Sequence, residues 1–254
     1  MMDYSRVILF TSCVDPNGMT KTAIHDKQQR EQEYKRALQF YLEQTVFPIV
    51  VVDNSGFIYQ ELHEANPERI ETLSFQGNDF DRNLGKGYGE GLILRYALEH
   101  STFIQKEGCR FIYKISGRHI LLNLNKLASF MHLAESYSDK VAFAVLKEKE
   151  RWAVSDFFSG PISFYQALIP YLEGCNDSKK KYFEHRLFRC IEDTRKAGQI
   201  LFIHIPFPLI QEGISGSTGK PLQKEGSFFK YSLKALLYVC HLSSLMTFYN
   251  KRIR

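Results

Sequence analysis

Phe47-Pro48-Ile49-Val50-Val51-Val52-Asp53-Asn54-Ser55-Gly56 is an unbroken apolar, β-branched run that stops abruptly at polar turn residues. A run without polar alternation suits a strand covered on both faces, which is the situation of a parallel strand sandwiched between helices. Val7 to Cys13 repeats the pattern and ends in Thr11-Ser12-Cys13 before the breaker Asp15-Pro16-Asn17-Gly18. Between the two, residues 26–45 place Tyr34, Leu38, Tyr41 and Leu42 on one helical face and charged side chains on the other. Strand, helix, strand is the unit of a parallel α/β sheet.

The alternation continues outward. Strands are expected at Thr72 to Phe75, Phe111 to Ile115, Val141 to Leu146 and Ile200 to Ile205. Helices are expected at Glu90 to Ser101, Leu124 to Ala134, Ser163 to Leu172 and Tyr182 to Gly198, with a short one from Leu62. The fold class is therefore α/β, a mostly parallel central sheet with helices on both faces. No repeat or linker divides the chain, so residues 1–222 read as one domain and 223–254 as a C-terminal helical tail.

Composition narrows the class further. At 254 residues, 44% hydrophobic and 24% charged, the chain is neither disordered nor fibrous. No apolar run approaches the roughly 18–20 residues of a spanning helix. Val7 to Phe10 is too short for the core of a secretory signal, so a cytoplasmic location is expected. Five cysteines without a C-x-x-C pair read as reduced thiols. The net charge of +5 is mild, but no acidic residue follows Glu225, whereas Lys230, Lys234, Lys251, Arg252 and Arg254 do. With Phe228, Phe229, Tyr231, Tyr238, Phe248 and Tyr249 interleaved, such a tail suits an anionic membrane surface, as a peripheral contact on its inner face. Elsewhere the basic residues form no aromatic-interleaved stripe, and nucleic acid is not an expected partner.

Polar clusters fall directly after the apolar strands. They are Thr11-Ser12, then Asp53-Asn54-Ser55, then Asn83 to Glu90, then Ser116-Gly117-Arg118. Ligands in α/β sheets bind at the carboxyl ends of strands, so these clusters predict one binding edge. Gly85-Lys86-Gly87-Tyr88-Gly89 opening a helix offers backbone N–H groups and a cation to a phosphate, without being a P-loop. Lys114 and Arg118, four residues apart at a strand terminus, suit a diphosphate. Asp156, Glu184, His185 and His204 are the candidates for acid–base or donor-contacting roles. Asp79-Phe80-Asp81 could hold a divalent cation, but no strand precedes it. Gly213 to Lys220 is a small-residue loop of the kind that closes over a ligand.

The order and spacing of Thr11-Ser12, Val50 to Ser55, Asn83-x-Gly85-Lys86-Gly87-Tyr88-Gly89-Glu90-Gly91 and Glu184 resemble GT-A-type nucleotide-sugar glycosyltransferases, particularly bacterial ones that build surface polysaccharide such as lipopolysaccharide or capsule. The likeness spans about residues 7–220. It implies a nucleotide-sugar donor, with Thr11, Ser12, Asp53 and Asn54 near base and ribose and with Lys86, Gly87 and Glu90 facing diphosphate or sugar. It implies Glu184 as the general base of an inverting transfer to a saccharide or lipid-linked acceptor. Such enzymes carry a metal-binding D-x-D after the fourth strand, where this chain reads Lys114-Ile115-Ser116-Gly117-Arg118. That departure disfavours a Mg²⁺ or Mn²⁺ cofactor, and no other cofactor is expected. Lys114 and Arg118 are expected to neutralise the leaving group instead. The alternative is a catalytically degenerate, membrane-associated sugar-nucleotide-binding or scaffold domain. A nucleotidyltransferase would need a basic glycine-rich loop after the first strand, and Asp15 to Lys21 is a poor one.

Overall fold

The computed structural model describes residues 2–19, 22–216 and 218–222, together with residue 233. Of the basic tail of 223–254 only residue 233 is described, and the membrane contact expected of the tail lies outside the described residues. In chain order the strands are β1 (Arg6–Ser12), β2 (Ile49–Asp53), β3 (Ile70–Ser74), β4 (Phe111–Ser116), β5 (Ile120–Leu121), β6 (Val141–Ala144), β7 (Leu146–Lys147), β8 (Trp152–Ala153), β9 (Phe157–Pro161), β10 (Leu201–His204) and β11 (Gln211–Glu212). The helices are α1 (Lys27–Gln44), α2 (Gln60–Ala65), α3 (Lys86–His100), α4 (Thr102–Gln105), α5 (Leu124–Glu135), α6 (Ile162–Leu172) and α7 (Phe183–Lys196).

Seven strands form the central sheet in the order β10-β6-β9-β4-β1-β2-β3. The pairs of β1 with β2 and β4, of β2 with β3, and of β6 with β10 are parallel, so the expected mostly parallel α/β sheet is the one observed. β9 runs antiparallel to both β4 and β6. It occupies Phe157–Pro161, where no strand is expected from the sequence. Inside the sheet Gly160 makes room for the Phe164 ring and the Ala142 methyl, and Pro161 sits at the strand's end.

Alternate residues of each strand serve opposite faces. Leu9, Val50 and Val52 pack with Ile93, Leu94, Leu168 and Leu187 beneath α3, α6 and α7. Ile8, Phe10, Val51 and Tyr113 pack with Tyr34, Leu38, Tyr41 and Leu127 beneath α1 and α5. Both faces are therefore covered, which is why the strands read as continuous apolar runs.

The register makes one edge of the sheet flush: Ser12 pairs with Asp53, Thr11 with Ser116, and Asp53 with Ser74. From β1 the chain builds outward through β2 and β3, then returns to the other side of β1 with β4. The crevice at the carboxyl ends of β1 and β4 is thus the point where the winding reverses, the standard location for a ligand in such sheets.

Helix α3 starts at Lys86 rather than Glu90, so the glycine-rich segment is helical and not a loop. Glycine costs about 1 kcal/mol in a helix, which makes its sequence read as loop. Here it is selected by packing. A Cβ on Gly87 would lie 3.0 Å from Phe183 Cβ, and one on Gly91 would lie 2.9 Å from Leu172 Cβ. These two glycines let α3 lie against α7 and α6.

Candidate functional site

A cavity of about 640 Å³ opens at the carboxyl edge of β1 and β4. Of the residues expected from the sequence, Thr11, Ser12, Asn54, Lys86, Gly87, Glu90, Gly117, Arg118, Asp156 and Glu184 line it. The N-termini of α3 and α7 meet at this cavity: Gly87 in the first turn of α3 approaches Phe183, the first residue of α7. Each helix carries partial positive charge at that end, so the meeting point favours an anion.

Lys86 stands at this junction. Burial lowers its ammonium pKa, against the attraction of Asp177, Glu184 and Glu90. Arg118 Nη1 donates to Glu33 Oε2 on α1 at 2.8 Å. Glu184 lies in the first turn of α7 and accepts from Ser155 Oγ at 2.9 Å. Burial raises its pKa above the ordinary carboxylate value, its own backbone N–H and Ser155 oppose the rise, and the negative charges of Glu90 and Asp156 add to it. A carboxylate held so is a stronger proton acceptor than an ordinary glutamate. Burial acts upward on Asp156 as well, but nearby His119, Lys114 and Gln211 outweigh it and leave its pKa lowered. His119 Nδ1 is 3.3 Å from Asp156 Oδ1.

Four residues sit elsewhere than expected. Asp53 is completely buried below the cavity, where Ser12 Oγ and the Val14 N–H donate to Oδ2 while the Ser55 N–H and Oγ donate to Oδ1. It clasps the loops after β1 and β2 together, and its oxygens are engaged there. Lys114 is also fully buried. Its ammonium pairs with Glu90 and donates to Ser116 Oγ at 2.9 Å and to the Ser155 carbonyl at 2.7 Å, which uses its three protons. It lies on the strand face that carries Ile112, under Phe158 and Phe183. His204 is buried in β10, where Nε2 accepts from the Leu146 N–H at 3.2 Å. His185 is half-buried against the rings of Trp152 and Tyr182.

Several residues of the cavity carried no signal in sequence. Arg30 looked like one of many solvated charges on α1, yet it is buried and donates to the Cys13 carbonyl through Nε and Nη2 at 2.9 and 2.6 Å. His119, Ser155 and Asp177 lie in short connections with no motif around them. Asn54 Oδ1 is buried and lacks a hydrogen-bond partner among the described residues, an acceptor that a ligand N–H or O–H would satisfy.

Among the described residues no group of three or more His, Cys, Asp or Glu side chains is placed to hold a metal ion. Asp79 and Asp81 are exposed, and Asp81 caps the turn at Arg82–Leu84 by accepting from the Asn83 N–H. In the cavity Glu90 is paired with Lys114, Glu184 with Ser155 and Asp156 with His119. Among the described residues no helix is long and apolar enough to cross a membrane. The described cysteines Cys13, Cys109, Cys175 and Cys190 are free thiols, and burial pushes all four up to about 12.

Two solved structures have a similar arrangement of the chain. One is described as a putative nucleotide-diphospho-sugar transferase from Desulfovibrio desulfuricans G20, with a TM-score of 0.43 and 11% identity over 79% of this chain and 80% of that one. The other is core-mannan synthase A from Aspergillus fumigatus in its Mn/GDP form, with a TM-score of 0.38 and 8% identity over 90% of this chain and 82% of that one. No family model matches the sequence, and no curated protein does.

Proposed function

We propose that the chain is a glycosyltransferase that takes a sugar from a nucleoside-diphosphate donor and passes it to an acceptor hydroxyl with inversion. The observation that carries this is the junction of α3 and α7. Two helix N-termini and Lys86 offer an anion site at the sheet's switch point, and Glu184 with its raised pKa stands in the same junction. The diphosphate would sit at that junction, with the nucleoside toward Ser12 and Asn54. The acceptor oxygen bonds to the anomeric carbon as the bond from that carbon to the phosphate oxygen breaks. The acceptor's proton passes to Glu184, and the departing nucleoside diphosphate takes the bonding pair. Lys86, the helix ends and Arg118 stabilise the charge that develops on the leaving group, so the reaction proceeds without a divalent metal.

A saccharide or lipid-linked acceptor, synthesis of surface polysaccharide and a cytoplasmic, membrane-peripheral location belong to the same proposal. Their support is the sequence resemblance and the basic tail.

Ligand binding stabilises the folded state by mass action, so thermal shift with UDP-, GDP-, CDP- and CMP-sugars, in EDTA and again in Mn²⁺, tests the donor. A selective shift that survives EDTA and is lost in Arg118→Ala is expected. A shift that requires Mn²⁺ would overturn the metal-independent mechanism. Binding with no turnover for any acceptor would point to the non-catalytic scaffold.

A further inference from the structure

The side of the cavity away from β1 and β2 carries an aromatic cluster that the transfer mechanism above leaves unused. Trp152 is the only tryptophan of the chain. It stands on β8, in the small hairpin that pairs Lys147 with Trp152 and Leu146 with Ala153. Its ring centroid is 5.0 Å from the His185 ring at an interplanar angle of 87°, and 6.1 Å from the Tyr182 ring. Tyr182 and His185 are themselves 5.6 Å apart, and all three are half-buried. Trp152 and Tyr182 line the cavity. The hairpin segment reaches the first turn of α7 twice, through the Trp152 ring and through the hydrogen bond of Ser155 to Glu184. The aromatic surface is therefore fixed beside the carboxylate that would deprotonate the acceptor.

We propose that Trp152 and Tyr182, with His185 packed against both rings, form the floor of the acceptor subsite, and that the acceptor presents a pyranose ring. This rests on Glu184 being the base. A pyranose has one face of C–H groups that suits an aromatic surface, and a rim of hydroxyl groups that suits acceptors. The carboxylates of Asp156 and Asp177 line the same cavity as that rim requires. A nucleobase would stack on an aromatic ring equally well, but the sheet order separates the two regions. Ser12 and Asn54 follow β1 and β2, whereas the hairpin of β7 and β8 follows β6, with β4 and β9 between them.

The sole tryptophan makes the test direct. Emission is followed while methyl glycosides of glucose, galactose, mannose and N-acetylglucosamine are titrated, and separately UDP and GDP. A saturable shift with at least one pyranoside, and none with either nucleotide, is expected. In steady-state assays Trp152→Ala should raise the acceptor KM by about tenfold, the loss of one good aromatic contact, while the donor KM and the donor thermal shift stay unchanged. Trp152→Phe should recover most of that loss. Emission moved by a nucleotide alone, or a wild-type acceptor KM in Trp152→Ala, overturns the assignment. The two proposals fail separately. Pyranoside binding without transfer from any donor would sink the reaction and keep the platform. Transfer that is lost in Glu184→Gln but indifferent to Trp152 would do the reverse.

Discussion

Ser155 Oγ donates a 2.9 Å hydrogen bond to Glu184 Oε1, and the Ser155 carbonyl accepts a 2.7 Å bond from Lys114 Nζ. One residue thus links the buried cation of β4 to the candidate base on α7. Because the hydroxyl bonds to the ionised carboxylate, it holds the Glu184 pKa down against the burial that raises it. Glu184 must be ionised to accept a proton, so activity should fall as pH drops through its raised pKa. Ser155→Ala removes the opposing bond, raises that pKa further and should move the acidic limb of the kcat profile to higher pH. An acidic limb that stays in place would dissociate the limb from Glu184.

Glu184→Gln should lower kcat by about 10²–10⁴-fold, the usual contribution of a positioned base, with the donor thermal shift retained. The same variant should not melt earlier than wild type. A carboxyl whose folded pKa is raised binds its proton more tightly in the folded state, so its stabilising effect is present at low pH and is lost as pH rises through the folded value. At neutral pH the charge is a burden, and a neutral amide removes it. Melting curves at pH 7.5 on both proteins check the sign.

Lys114→Ala would leave Glu90 without its buried partner and should cost about 3 kcal/mol in denaturant unfolding. Lys114→Met with Glu90→Gln, which removes both charges and keeps the volume, should recover most of that loss. A single substitution that is silent in stability but abolishes donor binding would instead return Lys114 to the diphosphate.

Gly117→Ala should destabilise by about 2 kcal/mol or more, because the added methyl would collide with the Thr11 carbonyl, the acceptor of the Gly117 N–H at 3.0 Å. The loss should appear in chemical denaturation before any ligand is added. A variant of full stability with weakened donor binding would place the glycine's role at the ligand instead.

The strands and their polar ends were legible because apolar runs buried on both faces look alike wherever they occur, and because turn chemistry is local. The architecture followed from that alternation, and so did the cluster of Thr11, Ser12, Asn54, Gly117 and Arg118 at one edge. What the sequence could not show was the direction in which a side chain is committed. Lys114 lies two residues inside the end of β4 and Asp53 at the end of β2, but both turn inward to partners 24 and 41 residues away in the chain, a matter of tertiary pairing. The glycines of α3 read as loop because propensity counts their cost and not the helix beside them. β9 was missed because a serine, a glycine and a proline close it, and only its two neighbouring strands make it one. The aromatic cluster of Trp152, Tyr182 and His185 joins a hairpin to a helix about thirty residues later, which no periodicity reveals.

Part of the cavity lining joins the segment after β1 to the segment after β11. The Ala23 N–H, in the segment after β1, donates to the Gly216 carbonyl at 3.0 Å, and β11 pairs with β5 beside it. Contacts between segments that far apart close only after the loop entropy of everything between them has been surrendered. A chain cut before Gln211 would keep all seven strands of the central sheet and most of the cavity's lining, and would lose the wall that Ser215, Gly216 and Leu222 supply.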